Sequence, residues 1–467
     1  MKRRIVIVSI FDLTRVFYKI AEALRAAGHD VFWITTQEIW TNWLKEQGER
    51  DEAILQLVYS PEKFLSVSEK ASLMPQIVAA EANADLTVNQ CMMMDQFIMQ
   101  KNKPDINDYM YLYYRDIKAF LQRIDATDVI AEPTNSNELI TFMLCRELGI
   151  RFISPRDMRY PTNRVLFFSS YLQNEIIPCG ENETGVTGKE LVDSFEIKKA
   201  PPYYFKKNSK MSALAPKKLA SAARNRSTRQ KIDSGNSLTH HDLSGRVRLA
   251  VKRTVNSRYM RHIYKYDHLE DIKCGIAYFG LHVQPESSID VLGSYFSHQL
   301  KLIQDIRRAL PFDTTLVVKE HPNFLGIKSL SFFDELRRIP NLALVKHDVS
   351  SFDIYERASI IFTVSGTPAY EAGLLGLPAV MFAPMFFGGL SSVRFCSDLT
   401  MLRGQVYHLL TDFSRDYEAD CAFMESLIAK SHPGFWSDPV NYPHVLEDDN
   451  VTKLQTAFVK AIEYVDR

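Results

Sequence analysis

Twice along this chain, short apolar runs rich in β-formers alternate with segments of helical spacing, and no other feature limits the fold as tightly. In the first block Ile5 to Ile10 reads as a strand, Thr14 to Ala27 has helical spacing, Gly28 stops it, and Val31 to Thr35 is again strand-like. A long, mostly helical stretch with an apolar cluster at Cys91 to Met94 follows. The rhythm then resumes with Val129 to Ala131, a helix from about Ser136 to Leu148, Gly149 and the strand Arg151 to Ser154. The second block predicts strands at Gly275 to Val283, Thr315 to Lys319, Leu342 to Val345, Ile360 to Val364 and Ala379 to Phe382. Helices are expected between them at Tyr295 to Leu310, Leu330 to Arg338, Ser351 to Ala358 and Ala369 to Leu375. Strands that are apolar throughout are buried on both faces, and parallel neighbours need a crossover, which the helices supply.

The chain has 467 residues, more than one hydrophobic core organises, so the two blocks are expected to be separate Rossmann-type α/β lobes with a cleft between them. The expected boundaries are 1–200 for the first lobe, 201–270 for a connector and 271–467 for the second lobe. The 46% hydrophobic and 11% aromatic content is that of a globular chain and excludes wholesale disorder. Lysine plus arginine balances aspartate plus glutamate at 56 each, so no global field marks a nucleic-acid binder. Cys91, Cys145, Cys179, Cys274, Cys396 and Cys421 form no CxxC pair and no metal-ligand cluster, which fits a reduced, cytoplasmic setting. The N-terminus has two arginines before an apolar run, as signal peptides do, but Asp12 and Arg15 cut the run short and favour a buried strand. No apolar stretch reaches the roughly 18 residues that a spanning helix needs.

Between Lys206 and Lys265 stand sixteen lysines and arginines against two acids, Asp233 and Asp242. A solvated, partly disordered connector is one reading. Peripheral contact with the anionic inner membrane is the other, each basic residue near such a surface being worth about 1 kcal/mol.

Three strand ends of the second block carry polar residues that core packing does not explain. Gln284-Pro285-Glu286-Ser287-Ser288 places Glu286 at the carboxyl edge of a sheet, where open α/β folds bind ligands, as a nucleophile or base or as a solvated helix N-cap. Lys319-Glu320-His321-Pro322 ends a β-run in a cation, an acid and an imidazole. His321 can donate to a phosphate oxygen and pass a proton to a departing nucleotide, or simply cap a turn. In Val364-Ser365-Gly366-Thr367-Pro368 a strand runs through hydroxyls into a helix start, a geometry suited to an anion. Glu371 lies one turn further on, as a partner for ribose or sugar hydroxyls or as an ordinary first-turn acid. Ser350 and Ser351, with Asp353, form a weaker fourth element. The loops Ser9 to Arg15 and Glu132 to Asn137 hold the equivalent positions in the first block, and Pro384 to Ser392, with Gly388 and Gly389, is a candidate flap.

From Ile276 to about Arg394 these elements resemble, in kind and order, the bacterial capsule polysaccharide synthesis family, which includes the β-Kdo transferases of capsule and O-antigen assembly. The histidine-proline and serine signatures are also similar to those of bacterial sialyl- and polysialyltransferases. The resemblance implies the GT-B architecture, with a CMP-sugar between the lobes, the nucleotide sugar in the second and the acceptor in the first. It implies phosphate-binding roles for His321, Ser350, Ser351, Ser365 and Thr367, and an acid acting on the anomeric carbon at Glu286, where the family usually has aspartate.

The expectation is a metal-independent glycosyltransferase with no cofactor beyond the CMP-sugar co-substrate, moving Kdo or a related nonulosonic acid onto a surface polysaccharide, lipopolysaccharide or lipid-linked glycan. Its catalytic residues would be Glu286 and His321, and its nucleotide-binding set Lys319, Glu320, His321, Pro322, Ser350, Ser351, Ser365, Gly366, Thr367 and Glu371. A CMP leaving group needs one phosphate neutralised and an oxocarbenium-like centre supported, and the DxD sequence of metal-bound diphosphate chemistry is absent. A UDP- or CDP-activated donor, sugar epimerisation, and a non-catalytic capsule assembly or export protein are the competing readings.

Overall fold

The computed structural model describes residues 2–59, 61–95, 98, 106–180, 185–198, 243–321 and 325–464, with backbone alone for 61 and 243–250. Contacts divide them into two units: residues up to 180 with 428–464, and 185–198 with 243–427.

Strands are numbered along the chain. The first unit contains β1 (Arg4–Ser9), β2 (Asp30–Thr35), β3 (Ile54–Gln56), β4 (Asp128–Ile130), β5 (Arg151–Asp157), β6 (Arg164–Phe168) and β13 (His432–Pro433). Their order is β13-β6-β5-β4-β1-β2-β3, parallel from β5 to β3 and antiparallel at the β6 and β13 edge. In β1 Ile5, Val6 and Ile7 are fully buried, as a strand covered by helices on both faces requires. The following helix, Thr14–Ala26, buries Val16, Phe17, Ile20, Ala21 and Leu24, one face of a 3.6-residue period, before Gly28 turns at φ +90°.

The expected boundaries are corrected at both ends of the second lobe. Residues from Ile428 onward join the first unit: β13 pairs with β6, and the helix Asp448–Glu463 lies on Thr14–Ala26. Phe458 packs edge-on to Phe167 at 4.9 Å, and Trp436 lies 5.3 Å from Phe17. Arg151 salt-bridges the buried Asp128 at 2.6 Å and donates to the carbonyls of Ile462 and Tyr464. Conversely, the helix Gly188–Lys198, expected in the first lobe, belongs to the second unit. A Cβ on Gly188 would sit 1.8 Å from the Cys421 carbonyl oxygen, and Glu196 binds Arg415 at 2.6 Å.

The second unit is a six-stranded, all-parallel sheet of β7 (Gly275–Gly280), β8 (Thr314–Lys319), β9 (Leu342–Val345), β10 (Ala358–Thr363), β11 (Ala379–Met381) and β12 (Val393–Phe395), in the order β12-β11-β10-β7-β8-β9. Counted from β7 this is the doubly wound order 3-2-1-4-5-6, whose direction of growth reverses between β7 and β10. The connector expectation is revised where it can be seen: Leu243–His262 is a helix docked on this unit, while residues 206–242 lie outside the described residues. Asn256 donates to the carbonyls of Gly326 and Lys328 at 3.3 Å, and Gly326, at φ +86°, passes so close that a Cβ would lie 2.6 Å from the Arg253 carbonyl oxygen. Among the described residues no helix is long and apolar enough to cross a membrane, and no group of His, Cys, Asp or Glu is placed to hold a metal ion.

Candidate functional site

The register fixes which strand ends meet. Gly280 is paired with Lys319, Lys319 with Val345, Phe362 with Phe279 and Thr363 with Met381, so β7 to β11 end at one edge. The segments carrying Glu286, His321, Ser350 with Ser351, and Ser365 to Thr367 all leave from that edge, around the crevice between β7 and β10. Pro322 lies outside the described residues.

At the crevice itself stands His282, which the sequence reading placed inside a strand running to Val283. The strand ends at Gly280, and His282 turns out of it. Its Nε2 accepts from the Val364 amide at 3.0 Å and lies 2.9 Å from Thr363 Oγ1, which in turn accepts from the Gly366 amide at 3.0 Å. An Nε2 that accepts an N–H carries no proton, so the ring proton is on Nδ1. Gln299 fixes the His282 backbone, accepting from its amide at 2.8 Å and donating to its carbonyl at 3.1 Å.

Glu286 is exposed, at the N-cap of the short helix Ser287–Asp290. The N-cap reading is therefore present, but the Glu286 side chain does not cap: Asp290 accepts from the Glu286 amide at 2.9 Å and from Gln284 at 2.7 Å, leaving the Glu286 carboxylate outside with the Ser288 hydroxyl at 2.9 Å.

At the end of β8 the three side chains have different environments. Lys319 is buried and donates to the Val349 carbonyl at 2.9 Å and to Ser351 Oγ at 2.7 Å. Burial, partly offset by Glu371, lowers its pKa to about 8. Glu320 is also buried, which raises its pKa to about 8, and its Oε2 has no hydrogen-bond partner among the described residues. Burial, with Lys319 adding to it, lowers His321 to about 4, so the ring is neutral at pH 7. This qualifies the expectation of a proton donor near neutrality: an imidazolium forms only once an anion beside it raises that pKa.

Ser350 caps the helix Ser351–Tyr355, accepting from the Phe352 amide at 3.2 Å, and remains exposed. Ser351 instead faces the Lys319 ammonium, so it is joined to the cation that a phosphate contact would use. Ser365 and Glu371 differ from expectation. Ser365 is fully buried and its hydroxyl donates to the Ser288 carbonyl, tying the Glu286 loop to the end of β10 rather than facing a ligand. Glu371, 6% exposed, accepts from Tyr355 at 2.7 Å inside the unit. Thr367 is buried at the start of the helix Thr367–Leu374, which has Pro in its first turn and no side-chain cap at Gly366.

The aromatic part of the candidate flap is packed, while Gly388 and Gly389 are exposed. Met385, Phe386 and Phe387 are buried, Phe387 stacks on Tyr370 at 5.1 Å, and a Cβ on Gly389 would meet the Phe423 ring at 2.4 Å. In the first unit the Glu132 to Asn137 loop is held by buried acids. Asp95 takes the Ser136 amide at 2.9 Å, and the buried Glu138 takes the amides of Thr134 and Asn135 at 2.8 and 3.2 Å, which fills that helix start with internal acids.

No family model matches the chain, and no curated protein matches it. Solved structures that resemble it include the β-Kdo 2,7 transferase KpsC of Thermosulfurimonas dismutans, at 13% identity over 75% of this chain and 90% of that one, with a TM-score of 0.34. They also include a UDP-GlcNAc 2-epimerase of Methanocaldococcus jannaschii, at 11% identity over 91% and 97% with a TM-score of 0.26. The calicheamicin glycosyltransferase CalG4 resembles it at 10% identity over 100% of both chains, with a TM-score of 0.28. Likeness at this level says nothing about activity.

Proposed function

We propose that the chain is a glycosyltransferase that moves Kdo or a related nonulosonic acid from CMP onto a surface polysaccharide or lipid-linked glycan, with the donor on the second unit, the acceptor on the first and no metal in the reaction. The observation that carries this reading is the meeting, at the β7 and β10 switch point, of an outward carboxylate on Glu286 with the polar ends of β8, β9 and β10. Such crevices bind nucleotides. His321 and Ser350 would meet the phosphate, and Lys319, acting through Ser351, would offset its charge. As CMP departs, the negative charge growing on its phosphate would raise the His321 pKa towards proton transfer, while Glu286 faces the positive charge growing at the anomeric carbon.

The test is turnover of CMP-Kdo on a synthetic lipid-linked acceptor, followed by mass spectrometry, with thermal shifts for CMP, UDP and CDP alongside. CMP should stabilise the chain selectively, and Glu286→Ala and His321→Ala should each lower turnover by at least about 100-fold. Wild-type rates in both variants would overturn the catalytic assignment, and selective stabilisation by UDP would move the donor class.

The same proposal places the protein in the cytoplasm with 206–265 against anionic inner-membrane lipid. Its support is that basic stretch and the exposure of Lys252, Arg258 and Arg261 on the docked helix. Co-sedimentation with anionic but not neutral vesicles is the expected result.

A further inference from the structure

Glu286 stands exposed on a loop, where chains ordinarily move, yet a group that acts on one carbon atom has to be held in place. Two tethers hold this one. The first begins at the His282 backbone. Because the His282 amide can only donate, Gln299 must turn its Oε1 towards it, at 2.8 Å, which leaves Nε2 for the His282 carbonyl at 3.1 Å and for Gln284 Oε1 at 3.2 Å. Gln284 therefore presents its own Nε2 to Asp290, at 2.7 Å, and the other Asp290 oxygen takes the Glu286 amide at 2.9 Å. Gln299, at the start of the helix Gln299–Ala309, is 3% exposed, so the relay is rooted in the core and its direction is set by a backbone amide. The second tether comes from the end of β10. The fully buried Ser365 hydroxyl donates to the Ser288 carbonyl, and the Ser288 hydroxyl donates to Glu286 Oε2 at 2.9 Å. Just beyond the short helix, a Cβ on Gly293 would lie 2.0 Å from Val364 Cγ1, so this segment is also pressed against the end of β10. A buried Gln and a buried Ser carry a desolvation cost that apolar residues would avoid, and what both secure is the place of one exposed carboxylate.

We infer that Gln284, Gln299 and Asp290 from one side, and Ser365 from the other, are positioning residues for Glu286, whose carboxylate they aim at the anomeric carbon. The inference rests on the reading above that Glu286 acts at that carbon, and it adds the residues that hold it there. Ser365, expected on the phosphate, takes this role instead. None of the four has to touch the donor: each acts through the Glu286 loop.

Steady-state turnover of CMP-Kdo on the synthetic lipid-linked acceptor, together with hydrogen exchange at the Glu286 amide, tests this. In wild type that amide should exchange at least about ten-fold more slowly than an open one. Gln284→Met and Ser365→Ala should each lower kcat about ten-fold while KM for CMP-Kdo and CMP affinity stay within about two-fold, as for groups that matter only at the reacting centre. In the Glu286→Ala background the same substitutions should cost less than about two-fold more, because without the carboxylate there is nothing left to aim. Losses that multiply in that background, losses that fall on KM and CMP affinity, or wild-type kcat in both variants each overturn the inference. An unprotected Glu286 amide in wild type overturns it even if no variant folds. Wild-type turnover by Glu286→Ala, or none by wild type itself, would instead overturn the catalytic reading, and the inference with it.

Discussion

Glu320 and His321 are neighbours in sequence, and burial moves their titrations in opposite directions, to about 8 from 4.5 and to about 4 from 6.5. A carboxyl whose folded pKa is raised contributes stability that is complete below pH 4.5 and lost as pH rises through 8. An imidazole whose folded pKa is lowered contributes stability that is complete above pH 6.5 and lost as pH falls through 4. Wild type should therefore lose on the order of 3–4 kcal/mol between pH 5 and pH 8 from Glu320, one pKa unit being worth about 1.4 kcal/mol. Glu320→Gln, which mimics the neutral acid, should flatten that limb. Urea unfolding at the two pH values measures it, and a variant whose pH dependence tracks wild type would assign the limb to another group. The residue types at this edge were legible because strand-end acids, imidazoles and hydroxyls have little packing purpose. Their orientations were not. Ser365 has the expected position with its hydroxyl committed to Ser288.

Among the elements, the turn from β10 into the helix Thr367–Leu374 is the most tightly determined. A Cβ on Gly366 would come within 2.7 Å of Thr363 Oγ1 and 3.1 Å of His282 Cε1, breaking the chain of bonds from His282 to the Gly366 amide. Gly366→Ala should cost about 1–3 kcal/mol by overpacking and weaken CMP binding beyond the effect of stability alone. Thermal unfolding with and without CMP separates the two, and an unchanged ligand-induced shift would show that the turn does not touch the nucleotide. Strand and helix cores were readable from periodicity, and Ser136–Leu148 and Leu342–Val345 match to the residue. Ends were less so: β7 stops at Gly280 because the crossover bends there, and continuing the apolar run to Val283 hid His282 inside it. In the loop at 384–392 Met385, Phe386 and Phe387 are buried and a Cβ on Gly389 would meet the Phe423 ring, so any flap motion would have to unpack these aromatic residues, which the glycines alone did not signal.

At the scale of the molecule, the first unit is assembled from both ends of the described chain, which periodicity cannot reveal because it reports local faces and not the partners they choose. A chain ending at 427 lacks Trp436, Phe458 and the Arg151 contacts with Ile462 and Tyr464. Such a chain should lose the cooperative transition of the first unit while the second still responds to CMP. Hydrogen exchange resolved along the sequence would check this, and protection of β1, β4 and β5 equal to that of the full chain would refute it. Domains generally fold as units during synthesis. Here the order of completion inverts the order in the gene: residues 243–427 leave the ribosome before β13 and the last helix, so the lobe encoded second can mature while the lobe encoded first still waits for its closing strand and for the aromatic residues that follow it.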